Sequence, residues 1–437
     1  MKLRGLPAEA GMGLVLLALA VFFSLATWSE QPSTGAAAAP SVVARIVAGA
    51  GPGAKVLVVA GALPEEKAFA EAVAEGLEND GREVASVVTG EPRDARVALE
   101  DLAKQGGPLE AIAVSAFASG WLIFDELKAD FPALGDPVLV TPQRQRGSNF
   151  LKRENLLNIA NQIAVIAIMA IGMTLVILTG GIDLSVGSLL ALAAVVATWL
   201  IREVAGGVEA GAMGMALSCA GGIVVSGVLG LATGWMVTRH RIAPFLVTLA
   251  LMLMASGAAY RLTSGESVYQ VPESFTTLGR GTSLGLPNAV VLMLGLYAVA
   301  HLMMTRTVFG RYLYAVGGNR TAARLSGVPV ERVVMSAYVL SALFAGLGGV
   351  VMASQLKSGS PTYGEMYELY VIAAVVVGGT SLSGGRGSMI GTLLGAFTIA
   401  VIQNGMNLMN VESYTQKIVL GAVILGAVWI DRARRAE

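Results

Sequence analysis

Residues 156–201 read LLNIANQIAVIAIMAIGMTLVILTGGIDLSVGSLLALAAVVATWLI. Two apolar runs, 156–179 and 185–201, flank the segment Thr179-Gly180-Gly181-Ile182-Asp183-Leu184-Ser185-Val186-Gly187-Ser188. A helix needs about 20 mostly apolar residues to cross a bilayer core, where no water exists to satisfy the backbone. The stretch therefore predicts two membrane helices joined by a tight reversal. Gly180 and Gly181 permit the reversal, and Asp183 is placed to cap the second helix with its carboxylate. A carboxylate at the edge of a span has a second reading, a direct part in handling substrate or protons.

The same pattern recurs on both sides. Further apolar runs lie at 11–28, 212–237, 243–260, 288–304, 334–354, 367–379, 388–409 and 416–430, which makes ten spans with an eighth short enough to be partly re-entrant. Charge is distributed to match. Of 437 residues, 54% are hydrophobic and only 14% charged, against about a quarter charged in soluble domains. Residues 30–154 hold 12 Lys/Arg and 18 Asp/Glu, half of all the charges, and the other 312 residues share the rest. The formal net charge of zero thus averages an insert at −6 and a remainder at +6. Neither value suits a nucleic-acid partner.

With the N-terminus placed in the cytoplasm and the spans alternating, thirteen basic residues fall on the cytoplasmic side: Lys2, Arg4, Arg239, Arg241, Arg306, Arg311, Arg320, Arg324, Arg332, Arg386, Arg432, Arg434 and Arg435. Five fall in the short loops opposite: Arg202, Arg261, Arg280, Lys357 and Lys417. That bias predicts two cytoplasmic termini with the insert outside. The expected organisation is an N-terminal anchor at 1–29, an extracytoplasmic insert at 30–154, and a membrane domain at 155–437 with a long cytoplasmic loop at 305–333. The first segment has a rival reading as a signal peptide, cleaved near Gly35-Ala36-Ala37-Ala38-Ala39.

The insert alternates strand and helix patterns. Strands are expected at 55–60, 83–88, 111–115 and 137–140, and helices at 64–77, 93–104 and 121–129. That order predicts a small α/β domain with an open parallel sheet. The fold class is thus mainly α, a polytopic membrane protein of about ten transmembrane helices with an inserted α/β domain. One cysteine, Cys219, and two histidines, His240 and His301, make a His/Cys metal site improbable. Nor does the sequence offer a nucleophile–base pair or a carboxylate dyad, so an enzyme is not expected.

Two further stretches carry information. In the loop at 305–333, Gly317-Gly318-Asn319-Arg320-Thr321-Ala322-Ala323-Arg324-Leu325-Ser326-Gly327-Val328-Pro329 predicts a two-turn helix, capped by Asn319 and stopped by Gly327 and Pro329. Arg320 and Arg324 share a face of it, as suits docking into a partner's groove. A basic loop that only sets topology is the plainer reading. The stretch Val375-Val376-Val377-Gly378-Gly379-Thr380-Ser381-Leu382-Ser383-Gly384-Gly385-Arg386-Gly387-Ser388 contains two decoys. A phosphate loop would need a Lys followed by Ser/Thr where Arg386-Gly387 stands. Leu382-Ser383-Gly384-Gly385 matches an ATPase signature but has no ATPase domain around it. Close packing of helices through small residues accounts for it better.

These three stretches, at 180–188, 317–327 and 376–385, occur in the same order as in the ribose-type permease family of bacterial ATP-binding-cassette importers, which the chain resembles over about 155–431. The resemblance implies a permease subunit of a bacterial inner (plasma) membrane that pairs as a homodimer in membrane lipid and binds two copies of a separate ATPase. It also implies delivery of a monosaccharide or related polar solute by an extracytoplasmic solute-binding protein. No cofactor would be bound by this chain, since ATP and magnesium would sit on the partner. Gly318, Asn319, Arg320, Ala323, Arg324, Ser326 and Gly327 would couple to the ATPase, while Gly181, Asp183, Ser185, Gly187, Gly378, Gly379, Ser383 and Gly384 would form structural motifs. The insert is unusual for the family and resembles one lobe of a sugar-binding protein. Docking a binding protein, presenting substrate and structural ornament are all open roles for it.

Polar residues inside spans are candidates for the path. Asn158, Asn161 and Gln162 open the second span, Gln355 ends the seventh, and Gln403, Asn404 and Asn407 lie in the ninth. Amides suit a hydroxyl-rich solute; their other reading is interhelical glue. Tyr363, Tyr367 and Tyr370 are explained by an interfacial aromatic belt. An alternative function, a membrane-anchored sensor or binding protein, would use the insert as input but lacks a cytoplasmic output domain beyond the Arg-rich tail. A secondary transporter would want more ionisable residues within its spans.

Overall fold

The computed structural model describes residues 8–433. Lys2, Arg4, Arg434 and Arg435 of the charge tally lie outside the described residues. The chain forms two compact units, one of Met1–Thr27 with Asn149–Glu437 and one of Trp28–Ser148. The expected boundaries at 29/30 and 154/155 thus move to 27/28 and 148/149.

Helix α1 (Ala8–Ala26) belongs to the membrane unit, and then the insert begins. Its elements are β1 (Trp28–Pro32), α2 (Ala39–Gly49), β2 (Lys55–Gly61), α3 (Pro64–Asn79), β3 (Glu83–Gly90), α4 (Pro92–Gln105), β4 (Ala111–Val114), α5 (Leu127–Asp130), β5 (Val138–Val140) and β6 (Arg144–Ser148). Four strands form a parallel sheet in the order β3-β2-β4-β5. β2 and β4 are buried on both faces, which is why they read as unbroken apolar runs. Helices α2 and α3 cover one face around Val42, Phe69 and Val73, and α4 covers the other around Leu99.

Three features depart from the expected pattern. The antiparallel ribbon β1–β6 was not foreseen, because Trp28-Ser29-Glu30-Gln31-Pro32 and Arg144-Gln145-Arg146-Gly147-Ser148 lack any apolar alternation. The tract that the rival signal-peptide reading would cleave enters α2, with Ala38 and Ala39 buried in the insert's core. The helix expected at 121–129 breaks into 3-10 turns and the four-residue α5. The buried residues of that stretch and the turn after it, Phe124, Leu127, Phe131 and Leu134, are spaced three or four apart, a pattern that single turns satisfy as well as one helix does.

The membrane unit continues with α6 (Arg153–Leu178), α7 (Val186–Glu203), α8 (Ala212–Arg239), α9 (Pro244–Thr263), α10 (Thr277–Arg280), α11 (Asn288–Arg306), α12 (Val308–Gly318), α13 (Arg320–Leu325), α14 (Val330–Leu356), α15 (Tyr367–Val377), α16 (Met389–Leu408) and α17 (Ser413–Ala433). Among the described residues seven helices, α6–α9, α11, α14 and α16, are long and apolar enough to cross a membrane, and α1, α15 and α17 contribute shorter apolar stretches. Helix α6 is the hub: 17 of its residues, from Ile159 to Leu178, are buried. Helices α7, α8 and α14 meet through small residues: Gly230 abuts Ala342, Gly346 abuts Ser226, and Gly349 abuts Leu190. In lipid, such close approach is what holds helices together.

Helix α1 packs on α16, where the Phe23 ring lies against Gly405. Phe23 also stacks on Phe150, with ring centroids 6.1 Å apart. Asn149 N–H donates to the Thr27 carbonyl at 3.2 Å, and Phe150 N–H donates to the Thr27 hydroxyl at 3.1 Å. The membrane unit therefore leaves and re-enters through neighbouring backbone. Replacing residues 28–148 with a short Gly/Ser linker is expected to leave a folded, monodisperse membrane unit. Its thermal midpoint should stay within about 4 °C of the parent, the shift made by roughly 1 kcal/mol in a domain of this size. Aggregation of the excised protein in size-exclusion chromatography would contradict this.

Candidate functional site

The three glycine-rich stretches, far apart in sequence, converge at the α13 end of the membrane unit. Gly385 N–H donates to the Leu178 carbonyl at 3.0 Å. The Arg320 guanidinium donates to the Thr179 carbonyl at 3.1 Å, and Tyr314 OH donates to the Gly387 carbonyl at 2.8 Å. Gly317 lies so close to Leu178 and Gly385 that a Cβ would be driven into their backbones. Gly385, with φ +73°, faces Gly318 N and would place a Cβ 2.9 Å from it. Gly378 abuts Gly391, Gly379 turns the chain at φ +90°, and Gly384 packs among Leu178, Gly180 and Gly317, with Ser383 O beside Gly180. The 376–385 stretch is thus an interlock of backbones, as small-residue packing requires.

Asp183 lies buried inside this hub. Its Oδ1 accepts from Ser185 N–H at 3.0 Å and Ser185 Oγ–H at 2.6 Å, and its Oδ2 accepts from Ser341 Oγ–H at 3.0 Å. The expected cap on α7 is therefore not formed: Ser185 is the N-cap residue and makes no side-chain capping bond. The Asp183 carboxylate reaches only two residues along the chain, and its other oxygen is engaged by α14. Gly181 lies against the Tyr338 hydroxyl, and Gly187 against Gly364 and Glu368.

Helix α13 has the expected form. The Asn319 side chain accepts from Ala322 N–H at 2.9 Å, Ser326 is the C-cap, and Gly327 adopts φ +84°. The helix α12 before it was not read from sequence. The two arginines differ in role. Arg320 is tied to the α6–α7 loop, whereas Arg324 forms an exposed ion pair with Glu331. Ala323 is buried, and Gly318 has open space beside it. Leu325, which the charge pattern did not single out, is 85% exposed at the tip of α13.

The second site lies where a span is broken. After α14 the chain runs without helix through 357–366, with Lys357, Gly364 and Met366 all at positive φ. Gly359 abuts Ala194 and Thr198, and Gly364 abuts Gly187, so this segment descends alongside α7. Helix α15 then completes the crossing. At 11 residues it spans about 16 Å, half a bilayer core. Discontinuous spans of this kind line solute sites in transporters.

A cavity of about 390 Å³ lies beside the start of α15, lined by Gln162, Gln355, Gln403, Tyr367 and Tyr370 with Ile159, Ile163, Val165, Ile166, Met352, Leu356 and Ala400. Its wall holds no Lys, Arg, Asp or Glu among the described residues. Gln355 Nε2 donates to the Asn161 carbonyl at 3.1 Å, which holds the side-chain amide, while the Gln355 main-chain carbonyl accepts from Arg280 Nε at 2.6 Å. Outside the spans, the hydrogen bond and charge of Lys357 hold the Glu273 carboxyl below its ordinary range.

The six path candidates thus separate. Gln162, Gln355 and Gln403 share the cavity, and Asn161 buttresses Gln355. Asn404 is locked in a reciprocal amide pair with Asn155, at 3.0 and 2.8 Å, and Asn407 accepts from Gln416 at 2.7 Å. Asn158 is exposed. Tyr367 and Tyr370 line the cavity with their rings 6.3 Å apart, so the cavity, rather than an aromatic belt, is their setting. Tyr363 bonds with Ser358 at 2.5 Å.

The insert offers no comparable opening at the place where open parallel sheets take ligands, the crevice between strands whose connections diverge. Between β2 and β4, the buried Glu66 accepts from the Ser115 hydroxyl and, at 3.1 Å, from Gly61 N–H. The Phe117 ring lies over Gly61 and fills the rest.

Residues 155–428 match the family described as branched-chain amino acid transport system / permease component. The ribose import permease protein RbsC of Escherichia coli is 41% identical over 323 residues, 73% of this chain and 97% of that protein. RbsC of Bacillus subtilis is 42% identical over 307 residues, 70% and 93% of the two chains. The xylose transport system permease protein XylH of Escherichia coli is 33% identical, covering 65% and 86%. No solved structure matches the chain. A hub of three interlocked glycine stretches, a broken span beside a cavity and these likenesses have one reading: the chain belongs to the ribose-type permease family of ATP-binding-cassette importers, as a multi-pass inner-membrane permease component.

Proposed function

We propose that the chain carries a neutral, hydroxyl-rich solute, a monosaccharide of the ribose type, inward through the cavity beside α15. The observation that carries this reading is the cavity wall: three amides and two phenols over an apolar floor, without an ionised side chain. Amides donate and accept hydrogen bonds as sugar hydroxyls do, and tyrosine rings offer an apolar face to a sugar's C–H surface. An amino acid would bring two charges into a wall with none to meet them. The relatives' names, ribose and xylose permeases, support the same class.

ATP hydrolysis belongs to a separate subunit docked on α13, and a solute-binding protein delivers the sugar at the opposite end. Two copies of this chain pair in the membrane, with both termini cytoplasmic, and no cofactor is bound by the chain itself. The exposed apolar stripe Val224, Val228, Leu231 and Trp235 on α8 faces lipid or the second copy. On α13, Leu325 is the knob that enters the ATPase groove, and Arg320 joins that helix to the α6–α7 loop. Co-purification with an ATPase subunit encoded nearby tests this. The unmodified protein should retain the ATPase, and Leu325→Glu should lower the amount retained about tenfold, the loss expected when a charge replaces a central apolar anchor. Retention by Leu325→Glu equal to the parent would remove α13 as the dock, and no retention by the parent would remove the importer reading.

A further inference from the structure

Two side-chain oxygens of the membrane unit are buried without a hydrogen-bond partner among the described residues: Tyr338 OH and Thr380 Oγ1. Both lie in the hub where the three glycine stretches meet, Tyr338 OH against Gly181 and Thr380 Oγ1 against Gly387. A buried hydroxyl without a partner is costly and calls for an explanation. The Tyr338 hydroxyl lies against Gly181, two residues before Asp183 and two after Thr179, whose carbonyl Arg320 engages. Asp183 itself is buried and held by hydroxyl and amide donors, with no cation within ion-pair distance among the described residues.

We propose that Asp183 has two docking positions on α14, Ser341 in the state described here and Tyr338 in a second state of the transport cycle. Tyr338 and Ser341 are three residues apart, on one face of α14 and about 4.5 Å apart along its axis. Tyr338 is the nearer of the two to the α13 end. The α6–α7 loop that carries Asp183 is tied to α13 through the Arg320–Thr179 bond. A pull on α13 therefore draws Asp183 from Ser341 toward the hydroxyl that now lacks an acceptor. Packed elements move between discrete positions, not continuously, and a one-turn step is a known size for such a move. Solute traffic at the cavity and ATP turnover at α13 are thereby linked through α14, whose other end carries Gln355 on the cavity wall.

The inference rests on the importer reading, so its test uses the complete complex of permease, ATPase and binding protein in lipid nanodiscs. Tyr338→Phe keeps the ring and removes only the hydroxyl. It should leave assembly, thermal midpoint and basal ATPase rate unchanged, and lower solute-stimulated ATPase and uptake about tenfold or more, because one of two balanced states has lost its contact. Full stimulation in Tyr338→Phe overturns the proposal while the ATPase association stands; absence of any ATPase association overturns the importer reading and the proposal with it. A second measurement keeps the hydroxyl and needs no loss of function: 3-fluorotyrosine at position 338, read by fluorine NMR. A second resonance on trapping the complex with ATP and vanadate is expected, and a single unshifted resonance overturns the proposal even if Tyr338→Phe fails to fold.

Discussion

Gly317→Val should abolish transport and sharply reduce the yield of folded protein, while Gly318→Ala, one residue away, should be silent. The two glycines look alike in sequence and differ only in what surrounds them. A Cβ on Gly317 would overlap the Leu178 carbonyl and the Gly385 amide, and both are backbone atoms that no rotamer change can move aside. Their separation would break the Gly385–Leu178 hydrogen bond and loosen the packing that Gly384 makes with Leu178 and Gly180. Overpacking in a close-fitted interior costs about 1–3 kcal/mol, more where the obstacle cannot yield, and this is a large part of a protein's net stability. Gly318 has nothing within 4 Å of its Cβ position. Alanine there, at the end of α12, favours the helix by up to about 1 kcal/mol. Thermal midpoint and size-exclusion profile in detergent separate the two. Equal behaviour of both variants would mean that the interlock does not hold the hub together.

The contrast between those glycines marks what the sequence conveys about this molecule. Long apolar runs specify their own state, because a lipid-exposed backbone must close its hydrogen bonds within one helix. That is why the long spans, the reversal at Gly180-Gly181 and the cap at Asn319 were legible. The eighth span was legible only as short. Its unwound half, residues 357–366, is tolerated because Gly359 and Gly364 pack against α7, and no local signal carries that. The ribbon formed by Trp28–Pro32 and Arg144–Ser148 pairs residues more than a hundred positions apart and has no apolar alternation to announce it. The site followed the same division. Three stretches could be picked out singly, but not their meeting through Leu178, Gly317 and Gly385. Tyr338 and Ser341 sit in an apolar run with nothing nearby in sequence to set them apart, and Asp183 was taken for a helix cap because its bond from Ser341, on α14, has no local signal.

The intramembrane amides were the most ambiguous residues of all, and they are where the second large effect is expected. Gln355→Leu and Gln403→Leu should each cut solute uptake by about tenfold, the consequence of losing roughly 1.4 kcal/mol of hydrogen bonding to a neutral solute. Both should leave ATPase association and basal hydrolysis intact. Asn404→Leu should do the reverse. It removes one half of the reciprocal pair with Asn155 and leaves the other amide without its partner, at a cost of about 1–3 kcal/mol in stability. Its thermal midpoint should therefore fall, with the apparent solute affinity of the surviving protein unchanged. Gln355 differs from Gln403 in one respect. The Asn161 carbonyl holds the Gln355 amide from behind, so Gln355 is pre-set for a solute, and its loss should weaken apparent affinity more than maximal rate. Uptake measured across solute concentrations in proteoliposomes reads both parameters. If Gln355→Leu and Asn404→Leu alter affinity and stability alike, the amides are one set of interhelical contacts, and the cavity beside α15 is not where the solute is held.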